Sequence, residues 1–397
     1  MDFGETIYKE DYGRMMQSVN AFTEVMDSIT KIIAGALENG LKKVYLFGNS
    51  ILTENVTAAI KQRFAVDILF IDSDTEKQDG VRIVDISSVC AGNETIIFVI
   101  SEHAEAMDRI LRENGFIQNK DYYVICDFAK WWVDQQAIFK EQRPDAVFLD
   151  LEDQKKSMIH ILDRVDQICE ENGIQYFLDS GTLIGAIRHK GFIPWDHDID
   201  ICMSMTDMYK LKALIKDDEE LEYLSWDEDE DYLFWSPRIV YKDIDSIERI
   251  VGNHVLISKF GIDVFPLTGF GNNIEDADKH IKLQDELWGE WRHFIVSGQG
   301  NKNEMRDRIR AAQTKYNYED CIYVGPVNGT PMKSWYFEKT GLFPTVKWEY
   351  EKNYYPVPND YDGRLRAEYG DYMQIPSEAE IEKARKQLRV VCELNAN

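Results

Sequence analysis

The chain has 397 residues, with 45 Lys and Arg against 71 Asp and Glu for a formal net charge of -26, and it is 44% hydrophobic and 12% aromatic. That length suits about two folded domains, and the apolar content excludes a disordered chain. The acidic balance argues against nonspecific attraction to nucleic acid or to an anionic membrane surface, because both are polyanions, so an anionic substrate would need local help.

No stretch approaches the roughly 20 apolar residues of a membrane span, and the start MDFGETIYKEDYG lacks the basic and apolar regions of a signal peptide. The expected location is cytoplasmic, with no integral membrane segment and no nucleic-acid partner. Six scattered cysteines show no metal-like spacing, and Cys126 and Cys202 sit inside apolar runs, which predicts reduced thiols.

Met15, Val19, Phe22, Val25, Met26, Ile29, Ile32 and Ile33 recur at helical spacing before Gly40, which predicts a helical lead-in over 1–40. The rhythm then changes. KKVYLFGNS reads as a strand entering a glycine turn, ENVTAAIKQRF as a helix and VDILFID as a strand. VRIVDI and TIIFVIS add strands, HAEAMDRILRENG is a helix closed by Gly115, and YYVICDF is a last strand. The alternation predicts a small parallel-sheet, Rossmann-like domain over 41–130. Its turn FGNSILTEN keeps Gly48 but not the further glycines of the dinucleotide fingerprint, so a structural or partner-binding role is favoured over a nucleotide site, in which Asp72 would hold a ribose hydroxyl. WWVDQQAIFKEQRPDAVF, residues 131–148, reads as the connection.

The second unit, 150–397, opens with DQKKSMIHILDRVDQICEENG, which sets Met158, Ile161, Leu162, Val165, Ile168 and Cys169 on one helical face closed by Gly173. IQYFLDSGTLIGAIR follows as a strand from about Gln175 to Leu178, a turn at Ser180, Gly181 and Thr182, and a short helix through Ile187. A glycine turn at a helix start exposes backbone N–H groups and suits a phosphate; Thr182 is either a further donor or a cap.

DHDIDICM comes next. On a strand beginning near Asp198, the side chains of Asp198 and Asp200 share a face, and paired carboxylates suit a hard cation such as magnesium. In KFGIDVFPL a third acid, Asp263, stands between Ile262 and Val264. If the two strands are neighbours, three carboxylates converge. Acids set among apolar strand residues cost on the order of several kcal/mol unless paired or metal-bound. The runs KDDEE (216–220) and DEDED (227–231) lack apolar spacers and read as solvated loops.

A strand, a Gly-Thr turn, a helix and D-x-D, with a later acid on its own strand, resembles the nucleotidyltransferase fold. More narrowly, LDSGTLIGAIRHKGFIPWDHDIDI, FGIDVFPL and YYPVPNDYDGRLRAEYGDYMQIP resemble the LicD family of phosphocholine transferases, which includes the fukutin-related proteins. The likeness covers about 150–376 and leaves out the N-terminal unit. It differs at His197, where that family usually has Asp; a strand would turn His197 away from Asp198 and Asp200. The fold class expected is therefore α/β and α+β: a Rossmann-like parallel-sheet domain, then a nucleotidyltransferase-fold catalytic domain with a helical, aromatic-rich C-terminal part.

The resemblance implies transfer of a phospho-alcohol group from CDP-choline or a related CDP-alcohol to a carbohydrate hydroxyl, with release of CMP. It implies Mg2+ (or Mn2+) held by Asp198, Asp200 and Asp263, with Asp196 as a further ligand and Asp263 as the first choice of proton acceptor. Arg188 and Lys190, between the turn and the acids, are the expected cationic clamps. His189 is a donor, a base or a structural hydrogen-bonding group, and Trp195 is expected to pack. The aromatics between Leu287 and Tyr355, Trp335 among them, are mostly expected in the core, with a few lining an acceptor or choline pocket. Ser377 and Glu380 form a capping-box pattern. Two rival readings remain at this level: a nucleotidyltransferase using a nucleoside triphosphate, and a non-catalytic binding protein.

Overall fold

The computed structural model describes residues 17–48, 51–71, 83–101, 103–227, 229, 232–250, 254–327, 336–385 and 389–393. Met15, Asp72, Trp335 and part of the 227–231 run lie outside them.

The lead-in is a short strand, β1 (Gln17–Asn20), followed by helix α1 (Ala21–Leu37). Next come β2 (Lys43–Phe47), α2 (Ile51–Arg63), β3 (Asp67–Ile71), β4 (Ile83–Val84), β5 (Thr95–Ser101), α3 (Ala104–Glu113) and β6 (Tyr122–Asp127). The five strands from β2 to β6 form an all-parallel sheet in the order β4-β3-β2-β5-β6. Its strands read as unbroken apolar runs because both faces are covered. Val44, Leu46, Phe98 and Ile100 pack with Ile29 and Ile33 of α1 and Val56 and Ile60 of α2, whereas Tyr45, Phe47, Ile97 and Val99 pack with Leu111 of α3.

The segment read as a connection is ordered structure: helix α4 (Phe128–Glu141) and strand β7 (Val147–Leu149). Then follow α5 (Leu151–Asn172), β8 (Tyr176–Leu178), α6 (Ser180–Ile184), β9 (Asp200–Ser204), α7 (Met205–Ile215), β10 (Leu221–Leu224), β11 (Arg238–Ile250) and β12 (His254–Gly271). The C-terminal part adds α8 (Ile274–Ser297), α9 (Lys302–Gln313), β13 (Tyr323–Pro326), β14 (Phe337–Glu338), α10 (Lys339–Leu342), β15 (Val346–Tyr350), β16 (Asn353–Val357), α11 (Tyr361–Tyr369), α12 (Glu378–Arg385) and β17 (Val390–Glu393).

A second, mixed sheet runs β14-β13-β12-β11-β17-β7, with β1 and β9 also on β12, β10 on β11 and β8 on β9. The long strand β12 is its spine. Helix α5 buries Met158, Ile161, Leu162, Val165, Ile168 and Cys169, the face its periodicity predicts, and stops where Gly173 turns to φ +63°. The two sheets are tied together, since β1 pairs with β12 and Val296 of α8 joins the core beside α1 and α2. Trp288 and Trp291 lie in the α8–α9 core with Trp235, and the Trp291 indole N–H donates to the Leu233 carbonyl at 2.9 Å. All six cysteines are free, four of them buried. Among the described residues, no helix is long and apolar enough to cross a membrane.

Candidate active site

The acids gather where β8, β9 and β12 meet. Strand β9 runs parallel to β12 with Asp200 in register with Asp263, and β11 runs antiparallel to β12 with Arg238 in register with the same Asp263. One row across three strands therefore reads Asp200, Asp263, Arg238. The Arg238 Nε lies 3.2 Å from the Asp263 Oδ1, with the arginine side chain 1% exposed and the acid 21%. Backbone pairing fixes the row: the Asp263 N–H donates to the Ile199 carbonyl at 2.9 Å, and the Asp179 N–H to the Asp200 carbonyl at 3.0 Å.

Strand β9 begins at Asp200, two residues later than the alternation suggests, and residues 196–199 lead into it outside any helix or strand. They leave a tight turn at Pro194 and Trp195, closed by the Asp196 N–H on the Ile193 carbonyl at 2.9 Å. Trp195 packs on the main core, as expected, and meets the His189 ring edge-on.

The turn residues hold the acids in place. The Thr182 hydroxyl accepts the Asp200 N–H at 2.9 Å and so ties the turn to the first residue of β9. A Cβ on Gly181 would lie 2.9 Å from the Asp196 Oδ2, so only glycine leaves room for that carboxylate. Ser180, with φ +50°, turns the chain from β8 into α6. Just before it, Asp179 is fully buried and paired with Arg364 of α11, at 2.8 Å from the guanidinium, which also meets Glu368 at 2.7 Å. This network ties the C-terminal segment GRLRAEYGD to the LDSGT turn.

The electrostatics are those of crowded acids. Burial, then the charge of Asp198 and a hydrogen bond with it, push Asp196 well above the usual carboxylate range. Burial also works to raise Asp198, but the charges of His197 and Arg389, the hydrogen bond from Asp196 and the charge of Arg238 outweigh it and bring Asp198 down. The two carboxylates are thus shifted in opposite directions. Burial, followed by Asp198, Asp263, Asp196 and Asp179, pushes Asp200 well up. His197 precedes the strand, and its charge is one of those that lower Asp198.

The two expected clamps stand elsewhere. Arg188 donates to the carbonyls of Tyr372 and Gln374 and to the His189 Nε2 at 2.9 Å, and so fastens the C-terminal segment. His189 is held below its ordinary value by burial and by Arg188, as befits a neutral structural acceptor. Lys190 pairs with Glu349 at 2.9 Å on the surface. Two arginines, Arg238 and Arg389, join His197 among the groups whose charge acts on the acids. A tyrosine joins them: Tyr350 is fully buried, its hydroxyl has no hydrogen-bond partner among the described residues, and burial, then Asp196, Glu351, Asp198 and Asp200, raise its pKa. No motif flags these three. A faint signal exists in the two arginines, each heading an apolar strand (RIVY and RVVC).

Residues 173–267 match the family model described as LicD/FKTN/FKRP, nucleotidyltransferase domain. The chain is 31% identical over 256 residues to lipopolysaccharide cholinephosphotransferase LicD of Haemophilus influenzae, covering 58% of this chain and 94% of that protein. Ribitol 5-phosphate transferase FKRP of Homo sapiens is 42% identical over 47 residues, 12% of this chain and 10% of that protein. The long alignment spans nearly the whole bacterial relative, and the matched region contains the turn, the acids and the strand that carries Asp263. The chain belongs to the LicD family.

Proposed function

We propose that this chain transfers a phospho-alcohol group from a CDP-linked donor, CDP-choline or a related CDP-alcohol, to a hydroxyl of a cell-surface glycan or its precursor, releasing CMP. The observation that carries this reading is the row of Asp200 and Asp263 on adjacent strands beside the Asp196–Asp198 pair. The relatives named as cholinephosphotransferase and ribitol 5-phosphate transferase supply the class of group transferred.

The residues fit a divalent cation, Mg2+ or Mn2+. Half-buried Asp196 and buried Asp200 are both pushed above the usual carboxylate range for want of positive charge, which a cation would supply. Among the described residues, no three acids, histidines or cysteines already stand in ligand geometry, so binding would draw Asp196, Asp198, Asp200 and Asp263 inward. When bound, the cation would neutralise the donor diphosphate and acidify the attacking hydroxyl.

In the transfer, the acceptor oxygen attacks the phosphorus that bears the alcohol, and the bond from that phosphorus to the CMP oxygen breaks. Asp263 takes the acceptor proton, since its side chain is the partly open one in the row. Thr182 keeps Asp200 at its register, and the Arg364–Asp179 pair keeps the turn in place.

Purified protein with magnesium, CDP-choline or CDP-ribitol, and an acceptor glycan should release CMP. Asp200→Asn should abolish release, while in chelator it melts no lower than the parent because a repelled carboxylate is gone. Silence across a panel of CDP-alcohols and glycans, or an acceptor that gains a whole nucleotide, would refute the reading.

A further inference from the structure

We propose that Arg389, presented by the C-terminal strand, is the residue that grips the diphosphate of the donor, through charge-assisted hydrogen bonds from its guanidinium to phosphoryl oxygens. The proposal deepens the transferase reading and rests on it for the identity of the donor. Arg389 immediately precedes β17, which lies between β11 and β7 in the large sheet. It is 5% exposed, and its Cζ sits 5.6 Å from the centre of the Phe260 ring, three residues before Asp263 on β12.

The Nε and Nη1 of Arg389 are both buried, and among the described residues neither has a hydrogen-bond partner. Burying a guanidinium without acceptors is costly, and a protein with 71 acidic residues has ample means to pair one. The other buried arginines near the acids are engaged: Arg238 with Asp263, and Arg364 with Asp179 and Glu368. The charge of Arg389 nevertheless reaches both Asp196 and Asp198, opposing burial at each. A planar fork with two unpaired donors, whose charge reaches these carboxylates, matches a diphosphate seated between cation-loaded acids and an arginine, the arrangement for which arginine surpasses lysine. Tyr350, whose unpartnered hydroxyl also senses Asp196, Asp198 and Asp200, offers one more donor to the same ligand.

The test uses the full chain with magnesium and inorganic pyrophosphate as the probe, by calorimetry, on the parent, Arg389→Lys and Arg389→Met. Arg389→Met should bind magnesium pyrophosphate at least tenfold more weakly, with Arg389→Lys between, and CMP release should fall by about 10²- to 10³-fold. Its Tm in magnesium should equal or exceed the parent's, because an unsatisfied buried charge has been removed. A folded Arg389→Met that binds pyrophosphate like the parent overturns the proposal, as does a parent that binds none. A fall in Tm that Arg389→Lys repairs, with pyrophosphate affinity unchanged, also overturns it and makes Arg389 a structural counter-ion. If pyrophosphate binding depends on Arg389 but no CDP-alcohol yields CMP, the arginine assignment stands and the transferase reading falls.

Discussion

Arg238 and Asp263 face each other across β11 and β12, 3.2 Å apart, with the arginine sealed from solvent and the acid open on one side. Removing either partner of such a pair strands the other charge, whereas removing both does not. Arg238→Met and Asp263→Asn should each lower stability by about 3 kcal/mol, and the double variant should cost clearly less than their sum. Urea unfolding of the four proteins gives the coupling; additive single effects would mean that the pair is not energetically linked.

Gly181 leaves space for one oxygen of Asp196. The Cβ of Gly181→Ala would come within 2.9 Å of it, so the carboxylate must turn aside while the fold tolerates a methyl group. Stability should change by about 1 kcal/mol or less, and the magnesium-dependent rise in Tm should shrink together with CMP release. An alanine variant with a full magnesium response would show that Asp196 does not need its place against the turn.

His280 predicts a pH effect away from the acids. It is fully buried, edge-on to Phe270 and Tyr316, and burial followed by the charge of Lys315 lowers its pKa from 6.5 to about 4. Below pH 6.5 the unfolded chain binds this proton and the folded chain does not, so stability is complete above 6.5 and declines as pH falls toward 4. The loss amounts to at most ~3 kcal/mol. Comparing unfolding free energies of the parent and His280→Gln over that window isolates the effect; parallel curves would remove His280 as its source.

The parallel sheet was legible because its strands are continuous apolar runs, and helix α5 because its apolar face repeats without interruption. Asp200 and Asp263 could be linked for a related reason: a charge inside an apolar strand stands out against its neighbours. Arg188 and Lys190 misled because closeness along the chain is not closeness in space, and the backbone carbonyls of Tyr372 and Gln374 claimed Arg188. Arg389 lies 189 residues beyond Asp200 in sequence, and its charge reaches the acids only because β17 returns to pair with β11 in the large sheet, a pairing no local pattern encodes. The late start of β9 escaped notice as well, since Asp196 and Asp198 keep an alternating spacing in an approach segment that is not paired as a strand.

Four residues, Gln17–Asn20, close one flank of β12 at His254–Ile257, while Ile247–Ile250 of β11 close the other. Cutting the chain ahead of the parallel sheet would leave that flank with bare amide and carbonyl groups on the very strand that bears Asp263 further along. A fragment made to isolate the transferase half would thus acquire an adhesive margin, inviting self-association through strand addition.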